Sequence, residues 1–286
     1  MAAQTANISG RRTLPYLTEL TFVKNVALLL VLAYVGIGAA LFVFQRSFIY
    51  FPTRAVSLAG VENVEISHDN YHLQGHVVND GKRELVIYFG GNAEQIAYSL
   101  QGLSPYLRHK TLVGFHYRSY SGSEGEPSEK TIFADALYIY DQLAVKYDKV
   151  ALIGRSLGSG VASYIASQRK IDKLVLVTPY DSIEALAART YWFYPIKWMI
   201  TEKYDSASRA GHISCDTLMM IAAEDTIIPM ANSEKLYHQF PRGVATLIKI
   251  EGAGHNSISN IPQYLSAISE FLEEQGAESG NSVPGI

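Results

Sequence analysis

"LIGRSLGSGVA", Leu152 to Ala162, sets a serine between glycines where an apolar run ends. Glycine costs backbone order inside a strand or a helix, so something local must require the small neighbours. Gly154 to Gly158 fits G-x-S-x-G; the "KVALI" ahead of it reads as a strand, and the chain from about Leu157 reads as a helix. In a sharp strand-to-helix turn of this type the serine backbone is strained, and the positions two before and two after it have no room for a side chain. Ser156 then projects its Oγ from the sheet edge above a helix N-terminus, where backbone N–H groups can meet developing negative charge. The competing reading is an ordinary turn with an N-capping serine.

The flanking sequence supplies the sheet that such a turn needs. Strands are expected at Val64–Ser67, Leu73–Val78, Leu85–Phe89, Thr111–Tyr117, Lys149–Ile153, Lys173–Val177, Thr217–Ala222 and Ala245–Ile250. Runs such as "LVIYF", "KLVLV" and "TLMMIAA" are apolar almost throughout, which suits strands covered on both faces. Helix-type spacing lies between them, over Thr131–Lys146, around Leu236 and over Ile261–Glu274. The alternation predicts a mostly parallel α/β sheet flanked by helices, with the first two strands as an antiparallel hairpin. Residues 181–214, with "ARTYWFYPIKWMI", interrupt it; they read either as a small cap over a pocket or as a pair of packed helices. The Gly/Ser-rich tail 275–286 reads as disordered.

A serine hydroxyl is a poor nucleophile at neutral pH and needs a base held by a carboxylate. On a sheet of this type the partners follow in the order Ser, Asp or Glu, His, at the ends of later strands. Asp225 follows "TLMMIAAE", and His255 in "EGAGHNS" follows "ATLIKI". Glu224 adjoins Asp225, but consecutive side chains diverge, so Asp225 is chosen. Asp181 in "DSIEA" reads as a helix cap or structural turn. For the oxyanion, one donor is the N–H of Leu157; the other comes from the loop "YFGGNAEQ", where Gly90 and Gly91 allow close approach and Asn92 opens the next helix with its amide free. That loop has neither G-x-G-x-x-G nor a Walker-type Lys-Ser/Thr, which excludes a nucleotide-binding reading.

Composition bounds the partners. The 286 residues are 48% hydrophobic and 18% charged, with a formal charge of −3 and no dense Lys/Arg stripe, so nucleic acid is not expected. The single cysteine, Cys215, excludes an internal disulfide and a Cys-based zinc site. Val26 to Phe44 runs about nineteen residues without a charge, close to the ~20 that span a bilayer as helix. A transmembrane helix at 25–45 is expected, preceded by an N-terminal segment at 1–24 and followed by the α/β domain at 46–274. A cleaved signal peptide and a buried core helix are the competing readings. Arg11, Arg12 and Lys24 precede the span while Arg46 and Arg54 follow it, a slight bias that places the main domain on the non-cytoplasmic side.

The segments "YFGGNAEQ", "YRSYSGSEGEPSE", "GRSLGSG", "TPYDSI", "AAEDTIIP" and "GAGHNSI" occur in one order from about Phe48 to Phe271. That order resembles the α/β-hydrolase family, and within it the Bem46-like branch with membrane-associated serine hydrolases of the ABHD13 and ABHD17 type. The resemblance implies Ser156 as nucleophile, Asp225 as acid and His255 as base. Two departures stand out. Gly90-Gly91-Asn92 replaces the His-Gly-Asn of many relatives, and Tyr117-Arg118-Ser119-Tyr120-Ser121 replaces their Tyr-Arg-Gly-Tyr-Gly. The palmitoylated-cysteine anchor of some relatives is missing, its place taken by the span. The expected function is a membrane-anchored serine hydrolase acting on carboxylic esters or thioesters through an acyl-enzyme, on substrates that include lipid-like ones, with no metal or organic cofactor implied. A serine aminopeptidase and a non-catalytic scaffold that keeps the fold are the alternatives.

Overall fold

The structure, a computed structural model, describes residues 15–273. It divides into two units, Met1–Gln45 and Arg46–Ile286. Among the described residues the first unit holds most of a long helix, α1 (Pro15–Ile49), and residues 1–14 of the expected N-terminal segment lie outside them. Its apolar stretch Glu19–Ile49 is long and apolar enough to cross a membrane. The helix extends beyond the expected 25–45 at both ends, because the polar residues flanking the apolar run are themselves compatible with helix. The tail 275–286, read above as disordered, lies outside the described residues.

The second unit is built on one sheet of eight strands: β1 (Glu62–His68), β2 (Tyr71–Val78), β3 (Glu84–Phe89), β4 (Lys110–Phe115), β5 (Lys149–Arg155), β6 (Lys173–Val177), β7 (Asp216–Ala222) and β8 (Ala245–Ile250). Their order across the sheet is β1-β2-β4-β3-β5-β6-β7-β8. β2 runs antiparallel to β1 and β4, and every other pairing is parallel. The hairpin follows from its turn. Asp69 and Asn70 both have positive φ, +51° and +64°, as a two-residue turn between twisted strands demands.

Helices cover both faces. Against one lie α3 (Glu129–Ala144), α4 (Leu157–Gln168) and α8 (Met230–Tyr237), whose Ile132, Val161 and Leu236 pack with Phe89, Leu152, Leu176 and Met219. Against the other lie α2 (Ile96–Leu103) and α9 (Pro262–Glu273), whose Leu100 and Ile268 join Val86, Ile153 and Val175. Inner strands buried on both faces explain their continuous apolar runs, and the alternating exposure of β1 marks it as the edge.

The strand order reverses between β3, which leads outward to β4, and β5, which leads the other way to β6. A crevice opens at such a reversal, outside the carboxyl ends of the strands. Between β6 and β7 the insertion forms α5 (Ile183–Thr190), α6 (Ile196–Met199) and α7 (Ser206–Ala210).

Candidate active site

Ser156 follows β5 and precedes α4 with φ +49° and ψ −117°, a conformation that a side chain occupies only when its surroundings hold it there. The two glycines are the surroundings. A Cβ on Gly158 would stand 2.0 Å from the Phe89 carbonyl oxygen, and one on Gly154 would stand 2.4 Å from the Gly158 carbonyl oxygen. The Ser156 N–H donates to the Val177 carbonyl at 2.9 Å, fixing the turn to β6. No N-cap hydrogen bond is made by the serine side chain, so the hydroxyl is left for another partner.

That partner is His255, whose Nε2 lies 2.9 Å from Ser156 Oγ. Its Nδ1 lies 2.7 Å from Asp225 Oδ2. The Asp225 side chain is 4% exposed, and its other oxygen accepts the N–H groups of Ile227 at 2.8 Å and Ile228 at 2.7 Å. These bonds fix the carboxylate on its turn. The loops carrying Asp225 and His255 are joined by the Glu224 N–H to the Ala253 carbonyl at 2.8 Å. The Glu224 residue itself is exposed. Asp181 is buried and serves elsewhere: Oδ1 accepts from Ser182 N–H at 2.9 Å and Asn232 Nδ2 at 2.8 Å, and Oδ2 takes Lys235 Nζ at 2.6 Å. The cap of α5 is Ser182, accepting from the Ala185 N–H.

The loop after β3 approaches the serine from the other side. A Cβ on Gly91 would lie 3.4 Å from Ser156 Cβ. The Gly91 N–H is taken by Glu94 Oε2 at 2.6 Å. The Asn92 N–H has no acceptor among the described residues, and the Leu157 N–H opens α4, where no helical carbonyl precedes it. Asn92 does not open a helix, however. α2 starts four residues later at Ile96, because a turn with Ala93 at φ +57° intervenes. The Asn92 side chain instead holds the segment after α1: Nδ2 donates to the Ile49 carbonyl at 2.6 Å, and Oδ1 accepts the Phe51 N–H at 2.9 Å and Tyr120 Oη at 2.7 Å.

Two residues that sequence reasoning left without a role complete the arrangement. Glu94, its side chain 9% exposed, accepts from Tyr88 Oη at 2.6 Å and from Ser99 Oγ. Arg155 stands with Nη1 3.6 Å from Glu94 and Nη2 3.4 Å from the His255 carbonyl. Burial works against the Arg155 charge, and the combined attraction to Glu94, Tyr88 and Tyr264 outweighs it, raising the pKa. The pair ties the loop after β3 to the loop after β8 behind the serine. Glu94 lies within "YFGGNAEQ", but nothing in a linear reading pairs it with the variable position of G-x-S-x-G.

Gly91, Asn92, Glu94, Arg155, Ser156 and His255 line a cleft of about 240 Å³. None of the residues lining this cleft belongs to the insertion 181–214. Part of the insertion is core: Tyr194, Ile196, Tyr204, Ala210 and Ile213 are buried. A larger cavity of about 570 Å³ opens at the amino ends of the strands, among charged residues such as Lys82, Lys149 and Asp216. It is remote from the serine, at the other end of the sheet.

A family model described as alpha/beta hydrolase fold matches residues 84–209. Over 268 residues the chain is 29% identical to the Mycobacterium tuberculosis "Uncharacterized protein Rv2307c", covering 85% of this chain and 93% of that one. It is 27% identical over 208 residues to the "Alpha/beta hydrolase domain-containing protein 17C" of Xenopus tropicalis, covering 68% of this chain and 63% of that longer protein. The solved Pyrococcus furiosus esterase Pf2001 superposes with a TM-score of 0.64 at 19% identity, over 79% of this chain and 98% of its own. Mouse alpha/beta hydrolase domain-containing protein 10 gives 0.58 at 14% identity, over 74% and 97%. With the sheet order and the serine turn at its reversal, these likenesses show that the chain has the α/β-hydrolase fold.

Proposed function

We propose that this hydrolase is a membrane-anchored serine hydrolase that cleaves carboxylic esters or thioesters through an acyl-enzyme. The observation that carries the reading is the continuous hydrogen-bonded line from Ser156 through His255 to the buried Asp225, at 2.9 and 2.7 Å. His255 Nε2 takes the Ser156 proton as Oγ attacks the acyl carbon. The negative charge that develops on the carbonyl oxygen is met by the N–H groups of Leu157 and Asn92. Asp225 holds the Nδ1 proton, keeping His255 in the tautomer that can accept at Nε2. His255 then protonates the leaving alkoxide or thiolate, and water, deprotonated by the same nitrogen, releases the acid.

A serine aminopeptidase would require an unengaged carboxylate for the substrate ammonium. Glu94 is the acid among the described residues lining the cleft, and Tyr88, Gly91, Ser99 and Arg155 occupy it. The apolar α1 supports the anchor, the charge bias supports a non-cytoplasmic domain, and both suit a lipid-like acyl donor. The test is turnover of acyl-nitrophenyl esters and acyl thioesters beside aminoacyl anilides. Ester or thioester hydrolysis that vanishes in Ser156→Ala is expected; cleavage of the anilides alone would replace this reading by the peptidase.

A further inference from the structure

The stretch 192–198 of the insertion leaves large apolar side chains in water. Trp192 is 79% exposed, Phe193 50% and Trp198 84%. They stand on a firm base, since Tyr194, Ile196 and Tyr204 beneath them are buried in the domain. Arg189 and Lys197, both exposed, flank them. Aromatic rings beside long basic side chains form the composition that favours the headgroup zone of a bilayer, where ring bodies meet acyl chains and cations meet phosphate.

The same insertion is fastened to the segment that emerges from the apolar run. Glu202, buried, accepts from Arg46 Nε at 2.9 Å and from Tyr50 Oη at 2.6 Å. Tyr50 Oη also meets Tyr204 Oη at 2.8 Å. Arg46 follows the last apolar residues of the run, so wherever the chain leaves a bilayer, these bonds hold the insertion to that point. Phe48 and Phe51, each about half exposed, add apolar surface on the same segment.

We propose that Trp192, Phe193 and Trp198 form a ledge that seats in the headgroup region of a lipid bilayer, a second membrane contact carried by the catalytic domain itself. The ledge rests on the membrane-anchor reading and would hold the catalytic domain against a lipid surface.

Trp192 and Trp198 are the chain's two tryptophans, so intrinsic indole emission reports the ledge and nothing else. The full chain is reconstituted in vesicles of phosphatidylcholine and phosphatidylglycerol, with and without bromine near the carbonyl end of the acyl chains. A blue-shifted emission that loses most of its intensity to the brominated lipid and resists aqueous acrylamide is expected. Emission at the water-exposed wavelength, quenched by acrylamide and indifferent to bromine, overturns the ledge, as does acrylamide protection that depends on protein concentration and not on lipid, which would assign the surface to a second copy. Vesicle flotation and fluorophosphonate labelling on the same sample keep the readings apart. A chain that floats and is labelled while its indoles stay in water refutes the ledge alone.

Discussion

At the residue scale, the arrangement depends on backbone conformations that side chains rarely adopt. Ser119 and Ser121, with φ +66° and +48°, stand where the related pattern Tyr-Arg-Gly-Tyr-Gly has glycine, and the left-handed conformation explains that glycine. Ser121 has a compensating contact, its Oγ lying 2.9 Å from Thr53 Oγ1. The buried Ser119 Oγ has no partner. Ser119→Gly is therefore expected to stabilise the domain by ~1 kcal/mol, the strain of one left-handed residue, read as a higher unfolding midpoint with hydrolysis unchanged. Gly154 and Gly158 are glycine for a different reason, the lack of space rather than φ, which the motif alone made visible in the sequence.

At the element scale, the loop after β3 is held from both sides. Glu94 and Arg155 grip it from below, and the Asn92 side chain ties it to Ile49 and Phe51, with Tyr117 Oη donating to the Gly90 carbonyl at 2.8 Å. Asn92→Ala keeps the backbone N–H but removes the tie. It is expected to lower kcat by about ten- to a hundredfold, the cost of a small misplacement near the reacting atoms, with KM little changed; steady-state kinetics on a soluble ester measures the split. The strands were readable because burial on both faces writes itself as unbroken runs like "LVIYF". The start of α2 was not, because the turn at Ala93 leaves no punctuation. Ser156, Asp225 and His255 were readable by their order at strand ends. The Glu94–Arg155 pair was not, since its meeting depends on β3 and β5 lying side by side.

At the scale of the whole molecule, stability carries a pH signature. His76 and His116 are buried edge to face, with ring centroids 5.1 Å apart, and His76 Nδ1 and His116 Nε2 have no partner. Burial, with repulsion from His76, pushes His116 down to about 3, and burial lowers His76 as well. The unfolded chain takes up these protons near pH ~6.5 while the folded one resists. Their contribution is whole above that pH and is lost as pH falls from there toward 3, by up to ~1.4 kcal/mol per pH unit for His116. Denaturant midpoints between pH 7.5 and 5 should fall accordingly, and His116→Gln should flatten the decline.

The sheet order, the reversal between β3 and β5 and the loops after β3, β5, β7 and β8 all converge on one hydroxyl. Labelling of the detergent-solubilised full chain by a fluorophosphonate, with the modified peptide identified by mass, addresses that convergence most directly. A single phosphonylated residue, Ser156, is expected, with no labelling in Ser156→Ala or His255→Ala. A folded wild-type chain that remains unlabelled, or one labelled at another serine, would contradict it.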